Sequence, residues 1–213
     1  MSASDEPLKI PWIEIFKTIP GVFGIRLEEG PPFQVVRREG KIEIRNYDKI
    51  LLAQLSVKGV RQEALDEGFL RLAAYIFGKN RRRLQISMTH PVYQKKDAEA
   101  IAMTSPVYQE EKGGAWIISF VMPSKFNRSN VPEPLDEEIQ LVELPERTVA
   151  VLKYSGNNTE KKMRQAKLEL KEWLSGSGFS EEEEIYWAQY DPPFAIPFFK
   201  KNEAQVPLTE KKM

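Results

Sequence analysis

One order of local patterns occurs twice in this chain of 213 residues, and that recurrence restricts the fold more than any single motif does. In the first half, Phe33 and Val35, then Ile42 and Ile44, alternate with polar neighbours around a Glu39-Gly40 turn, which predicts a β-hairpin. A second apolar, β-branched run covers Ile50 to Val57. Helical spacing follows, with Leu65, Phe69, Leu72, Ala73 and Ile76 on one face, Gln62, Glu63, Asp66 and Glu67 outside it, and Gly78 as the stop. About a hundred residues further on the order returns. A strand is predicted at Thr148–Tyr154, a turn at Ser155-Gly156, and a helix whose Met163, Ala166, Leu170, Trp173 and Leu174 share a face. Asn157 with Glu160 reads as a capping box at its start, and Gly176 and Gly178 end it. Each half therefore reads strand–helix–strands, and two such halves, 33–122 and 138–208, predict one pseudo-twofold α+β domain.

A shorter repeat lies between the two helices. Ile86-Ser87-Met88-Thr89-His90-Pro91-Val92-Tyr93-Gln94 recurs as Ile101-Ala102-Met103-Thr104-Ser105-Pro106-Val107-Tyr108-Gln109, with seven of nine positions identical. Two such segments flanking Lys95–Ala100 suit an antiparallel pair continued by Trp116–Val121, and their prolines favour edges or bulges. Residues 1–32, punctuated by Pro7, Pro11, Pro20, Gly21, Gly24, Pro31 and Pro32, read as an arm laid on the domain. The domain itself is expected over 33–208, with a tail at 209–213.

Composition removes whole classes of chemistry. Without cysteine there are no disulfides, thiol nucleophiles or Cys-ligated metals, and the single histidine, His90, cannot supply a His-rich metal site. Lys+Arg and Asp+Glu both number 31, so no global field draws the chain to nucleic acid or to an anionic membrane. No stretch approaches the ~20 apolar residues of a membrane span, and no secretory signal pattern opens the chain. A cytoplasmic address is the expectation.

Four segments carry a resemblance to a known family. They are Ile101-Ala102-Met103-Thr104-Ser105-Pro106-Val107 with its upstream copy, Phe120-Val121-Met122-Pro123-Ser124-Lys125-Phe126, Leu144-Pro145-Glu146-Arg147-Thr148-Val149-Ala150-Val151, and Tyr190-Asp191-Pro192-Pro193 followed by Pro197 and Asn202-Glu203. In that order and spacing, over roughly Gly24 to Glu203, the chain resembles the SOUL, or haem-binding protein, family. The resemblance implies a curved antiparallel sheet forming a distorted barrel with two long helices against it, as in gyrase-inhibitor-like small-molecule binders. It also implies a ligand, haem or a related tetrapyrrole. In the vertebrate haem-binding branch, basic residues of the first helix are thought to meet the haem propionates; the matching positions here hold Asp66 and Ala74. Arg71 and the Arg81–Arg83 run are the substitutes at hand.

The expected site is an apolar cleft beside the first helix, bordered by Leu65, Phe69, Leu72 and Ala73, with Tyr190 from the closing signature. His90 is either an axial ligand for haem iron or a turn residue before Pro91. Met88, Met103 and Met122 suit either a thioether ligand or strand core. The leading functional expectation is a non-catalytic cytoplasmic binder of haem or another planar apolar molecule. Two others stay open: an enzyme using Asp66 or Glu203 with a tyrosine such as Tyr186 as acid and base, and a protein-interaction module.

Overall fold

The computed structural model describes residues 30–81, 105–181, 185–191 and 196–210. The expected arm up to residue 29, the first copy of the short repeat, the start of the second copy and His90 lie outside the described residues.

The predicted hairpin forms as β1 (Phe33–Glu39) and β2 (Ile42–Tyr47), joined through Gly40 at a φ of 57° that disfavours any side chain. β3 (Ile50–Lys58) leads into α1 (Arg61–Ile76), and a short β4 (Asn80–Arg81) follows. Arg81, expected in a loop, sits in that two-residue strand paired with β7 (Glu133–Pro134). The half closes with β5 (Val107–Lys112) and β6 (Ala115–Val121). The second half runs β8 (Gln140–Leu144), β9 (Arg147–Ser155), α2 (Glu160–Gly176), β10 (Phe179–Glu181), β11 (Tyr186–Gln189) and β12 (Lys201–Glu210). A single 3-10 turn, Pro197–Phe199, lies between the last two strands. β12 extends two residues past the expected domain boundary at 208.

All strands of the main sheet pair antiparallel, in the order β1-β2-β9-β12-β11-β5-β6-β3-β8. The two-fold repeat is visible in that order. From one side the strands run β2, β9, β12, β11, and from the other β8, β3, β6, β5, which are their counterparts. Each half's first strand crosses to the other half, so β2 pairs with β9 and β8 with β3. The repeats are interlaced, which is why they form one curled sheet rather than two small domains.

Alternation along the strands sends one set of side chains under the helices. Leu51, Ala53, Leu55 and Val57 of β3 join Ile118 and Phe120 of β6 beneath Ala64, Leu72, Ala73 and Ile76 of α1. Ile42, Ile44, Ala150, Leu152, Ala204 and Val206 do the same beneath Met163, Ala166, Leu170 and Leu174 of α2. Gly68 lets α1 approach closely: a Cβ there would lie 2.6 Å from Ile118 Cδ1.

The start of α2 differs from the expectation. Thr159, not Asn157, is the N-cap, its hydroxyl accepting from the Lys162 amide. Asn157 lies too early because Asn158 is held by the Tyr154 hydroxyl, which donates to its Oδ1 at 2.5 Å, delaying the first helical turn.

Candidate functional site

Two places outside the apolar core gather polar chemistry. The first is where the N-termini of the two helices meet. Arg61, the first residue of α1, donates to the carbonyl oxygen of Asn158 at 3.4 Å and to Gln109 Oε1 at 2.9 Å, and its guanidinium lies 5.4 Å from the Trp116 ring centre. Arg61 Nε and Asn158 Nδ2 are both buried donors without an acceptor. Burial pushes the Arg61 guanidinium below its ordinary value despite the opposing fields of Tyr154 and Glu160.

Beside this junction lies a concavity of about 480 Å³ lined by Ser155, Gly156, Asn157, Thr159, Lys162, Pro197 and Phe198. Gly156, at a φ of 98°, makes room for Lys162, whose ammonium folds back to donate to the Ser155 carbonyl at 2.9 Å. Asn202 donates to the Gly156 carbonyl at 2.7 Å and ties this loop to β12. At the rim, Ile196, Phe198 and Phe199 are exposed, Phe198 by 82%. A phenyl ring so open beside a ligand-sized concavity leaves apolar area to be covered.

The second place is the sheet face away from the helices. On β2, Glu43, Arg45 and Tyr47 alternate with the core-facing Ile42 and Ile44, yet they are only 3%, 2% and 2% exposed. Arg45 holds Glu203 of β12 in a two-pronged pair, Nη2 to Oε1 at 2.8 Å and Nη1 to Oε2 at 3.1 Å. It also donates to Glu43 and to the Tyr47 hydroxyl, and the Phe33 ring lies 4.2 Å from its guanidinium carbon. Tyr190 and Gln205 complete the shell of Glu203, donating to its Oε2 at 2.7 and 2.8 Å. Burial works against the Arg45 charge, but the hydrogen bond and charge of Glu203 outweigh it and hold the guanidinium above its ordinary value. Burial likewise raises Glu43, but hydrogen bonds from Lys153 and Arg45 reverse this and bring its carboxyl to about 2. Desolvation, with the charge of Glu203, moves the Tyr47 phenol up to about 12 and Tyr190 higher still.

Leu65, Phe69, Leu72 and Ala73 do lie together on α1, but they face the sheet. Leu72 and Ala73 are 0% and 2% exposed, while Leu65 and Phe69 are half-buried against the same cluster, Phe69 meeting the Phe120 ring edge-on at 5.3 Å. Tyr190 is far from them in role, bound to Glu203 on the opposite face. Met122 is core. Arg71 is committed to Asp136 through two 2.8 Å hydrogen bonds and pairs with Glu138 as well, so it has acidic partners already. Asp66 accepts from Gln62 on the exposed face of α1. The tyrosine beside Glu203 is Tyr190 rather than Tyr186.

Sequence reading missed Arg45, Tyr47, Lys162 and Phe198. The signal for the first two was present, since Glu43, Arg45 and Tyr47 alternate with Ile42 and Ile44. Alternation alone reads as a solvated face, and only the curl of the sheet buries it. Phe198 carried no periodic signal because it stands in a single 3-10 turn.

Comparison with known proteins agrees with this architecture. The profile of the "SOUL heme-binding protein" family matches residues 28–207. Human heme-binding protein 2 is 30% identical over 161 residues, spanning 74% of this chain and 73% of its own. Pig heme-binding protein 1 is 26% identical over 178 residues, 81% of this chain and 88% of its own. Among solved structures, a hydrolase from Listeria innocua superposes with a TM-score of 0.51 at 11% identity, over 82% of this chain and 94% of that one, a likeness of fold alone. With the sequence profile covering the whole interlaced sheet and both helices, the chain belongs to the SOUL haem-binding protein family.

Proposed function

We propose that the protein is a non-catalytic cytoplasmic binder of haem or a related tetrapyrrole, and that the ligand lies over the Pro197–Phe199 turn against the start of α2. The observation that carries this reading is Phe198, 82% exposed at the rim of a 480 Å³ concavity that also holds the Lys162 ammonium. A tetrapyrrole is a flat apolar ring edged with carboxylates. The ring suits Ile196, Phe198 and Phe199; the carboxylates suit Lys162 and the unpartnered donors of Arg61 and Asn158. The relatives named for haem binding support the ligand class. Among the described residues no group of His, Asp and Glu is arranged to hold a metal, so the binding rests on ring burial and carboxylate contacts, with His90 as a candidate axial ligand. In this reading Leu65 and Phe69 border the ligand only as the half-buried flank of α1. Tyr190 and the buried pair of Leu72 and Ala73 hold the scaffold.

Hemin titration followed at the Soret band tests the assignment. Phe198→Ser should weaken binding at least about tenfold, about 1.4 kcal/mol, with no change in melting temperature, because an exposed ring contributes little to folding. Unchanged hemin affinity in Phe198→Ser, together with loss in Leu65→Ser, would move the site to the flank of α1.

A further inference from the structure

The face of the sheet away from the helices contains polar groups that the tetrapyrrole reading does not use. Tyr108 of β5 is 3% exposed, and its hydroxyl has no hydrogen-bond partner. Arg147, at the start of β9, has a buried Nη1 that is also without an acceptor, and its guanidinium lies 5.3 Å from the Tyr47 ring centre. Both residues line one small cavity of about 10 Å³, closed by Leu144, Val149, Tyr186, Gln205 and Pro207. Orphaned buried donors are rare because each forfeits a hydrogen bond made in water, and two of them on one cavity point to something that accepts from both.

Size and charge select the occupant. A cavity of this volume takes one water-sized species and excludes sulfate, phosphate or any organic carboxylate. Gln205 offers little as an acceptor's competitor, since its Nε2 is already directed to Glu203 and the Tyr47 hydroxyl. The surroundings carry an excess of positive charge. Glu203 is neutralised by Arg45, and Glu43 is shared among Arg45, Lys153 and Arg38, so four cations including Arg147 face two carboxylates. Among the described residues Arg147 has no carboxylate of its own. The geometry points to a site for a single monatomic anion, a halide, accepting from the Tyr108 hydroxyl and Arg147 Nη1. Bound there, the anion completes the charge balance of the face and ties β5 of one half to β9 of the other.

Thermal melts at one ionic strength, with chloride or bromide exchanged for gluconate, test this. The melting temperature should rise saturably with halide and not with gluconate. Arg147→Gln should abolish the halide response, Arg147→Lys should retain it, and Tyr108→Phe should raise the half-saturating concentration by about tenfold. Crystals grown in bromide should show an anomalous peak within hydrogen-bond reach of Tyr108 Oη and Arg147 Nη1. A melting temperature indifferent to halide, a response that survives in Arg147→Gln, or a bromide-free cavity overturns the proposal; the bromide peak decides the matter even where a variant fails to fold. Hemin affinity does not enter these readouts, so the halide site and the tetrapyrrole site stand or fall separately.

Discussion

The two halves of the sheet agree on the face under the helices and differ on the other. Beneath α1 and α2 both halves present aliphatic residues at alternate positions, and the two clusters are similar in kind. On the opposite face, the first half continues with Ile50, Leu52 and Val121 around Tyr108, whereas the second half presents Glu43, Arg45, Glu203 and Gln205. The repeat therefore conserves what the fold needs, an apolar stripe at period two beneath a helical one. It leaves the other face free to diverge, and there one half has placed a charged network in surroundings that bury it.

That contrast is broken most sharply at Arg45. Removing one partner of a buried pair leaves a desolvated carboxylate, so Arg45→Met should lower unfolding free energy by about 3–5 kcal/mol in urea titrations. Pairing it with Glu203→Gln should recover part of the loss, because the orphaned charge is then gone. If Arg45→Met costs no more than an exposed substitution, the network is not a folding element and the comparison fails.

Acid sharpens the same contrast. The Glu43 carboxyl ionises at about 2 in the folded state against an ordinary value of 4.5, so the unfolded chain takes up its proton first as pH falls. Its contribution is complete above about pH 4.5 and disappears as pH drops towards 2. Melting temperature should therefore fall across that window in the native protein, and fall less steeply in Glu43→Gln. The apolar half supplies no comparable term from Ile50 or Leu52.

How much of this was legible in the sequence depends on the kind of information each residue carries. Leu51, Ala53, Leu55 and Val57, or Met163, Ala166 and Leu170, announce their element and their buried side through spacing alone, and the hairpin at Gly40 does so through its turn. The pairing of β2 with β9 was not legible, because period two fixes which face a strand buries and says nothing of which neighbour it joins. The site was less legible still. Leu65, Phe69, Leu72 and Ala73 were nominated as apolar and on one face, and the same property makes them core. Phe198, exposed in an irregular turn, and Arg45, charged on a strand that reads as solvated, are informative only once their burial is known.

A third test concerns how closely each helix sits on its half. Gly68 of α1 has Ile118 where a side chain would go, while Ala166 of α2 already fills its place in the second cluster. Gly68→Ala gains about 1 kcal/mol of helix propensity but overpacks by roughly 1–3 kcal/mol, for a net loss of about 1 kcal/mol. Combining it with Ile118→Val removes the Cδ1 that lies 2.6 Å from the new methyl and should return stability to near the native level. A Gly68→Ala protein that melts higher than native would show that α1 rides further from the sheet than this geometry has it.

The smallest expected effect separates the two helix starts. α2 is capped by Thr159, whose hydroxyl takes the Lys162 amide, but α1 begins after Val60, which offers no side-chain acceptor and is 69% exposed. Four amides at a helix start lack intrahelical partners, and a hydroxyl or carboxylate at the cap satisfies one of them. Val60 already has the extended backbone of a cap residue, φ −65° and ψ 137°, so Val60→Ser asks for no rearrangement. It should stabilise by about 0.5–1 kcal/mol, while Thr159→Ala should destabilise by about 1 kcal/mol. The two changes should also differ in what they do to ligand binding. Thr159 lines the 480 Å³ concavity and Val60 does not, so Thr159→Ala should weaken hemin binding slightly and Val60→Ser should leave it unchanged once stability is accounted for. Equal effects on binding would mean that both helix starts border the ligand, which extends the site across the pseudo-twofold axis to Arg61.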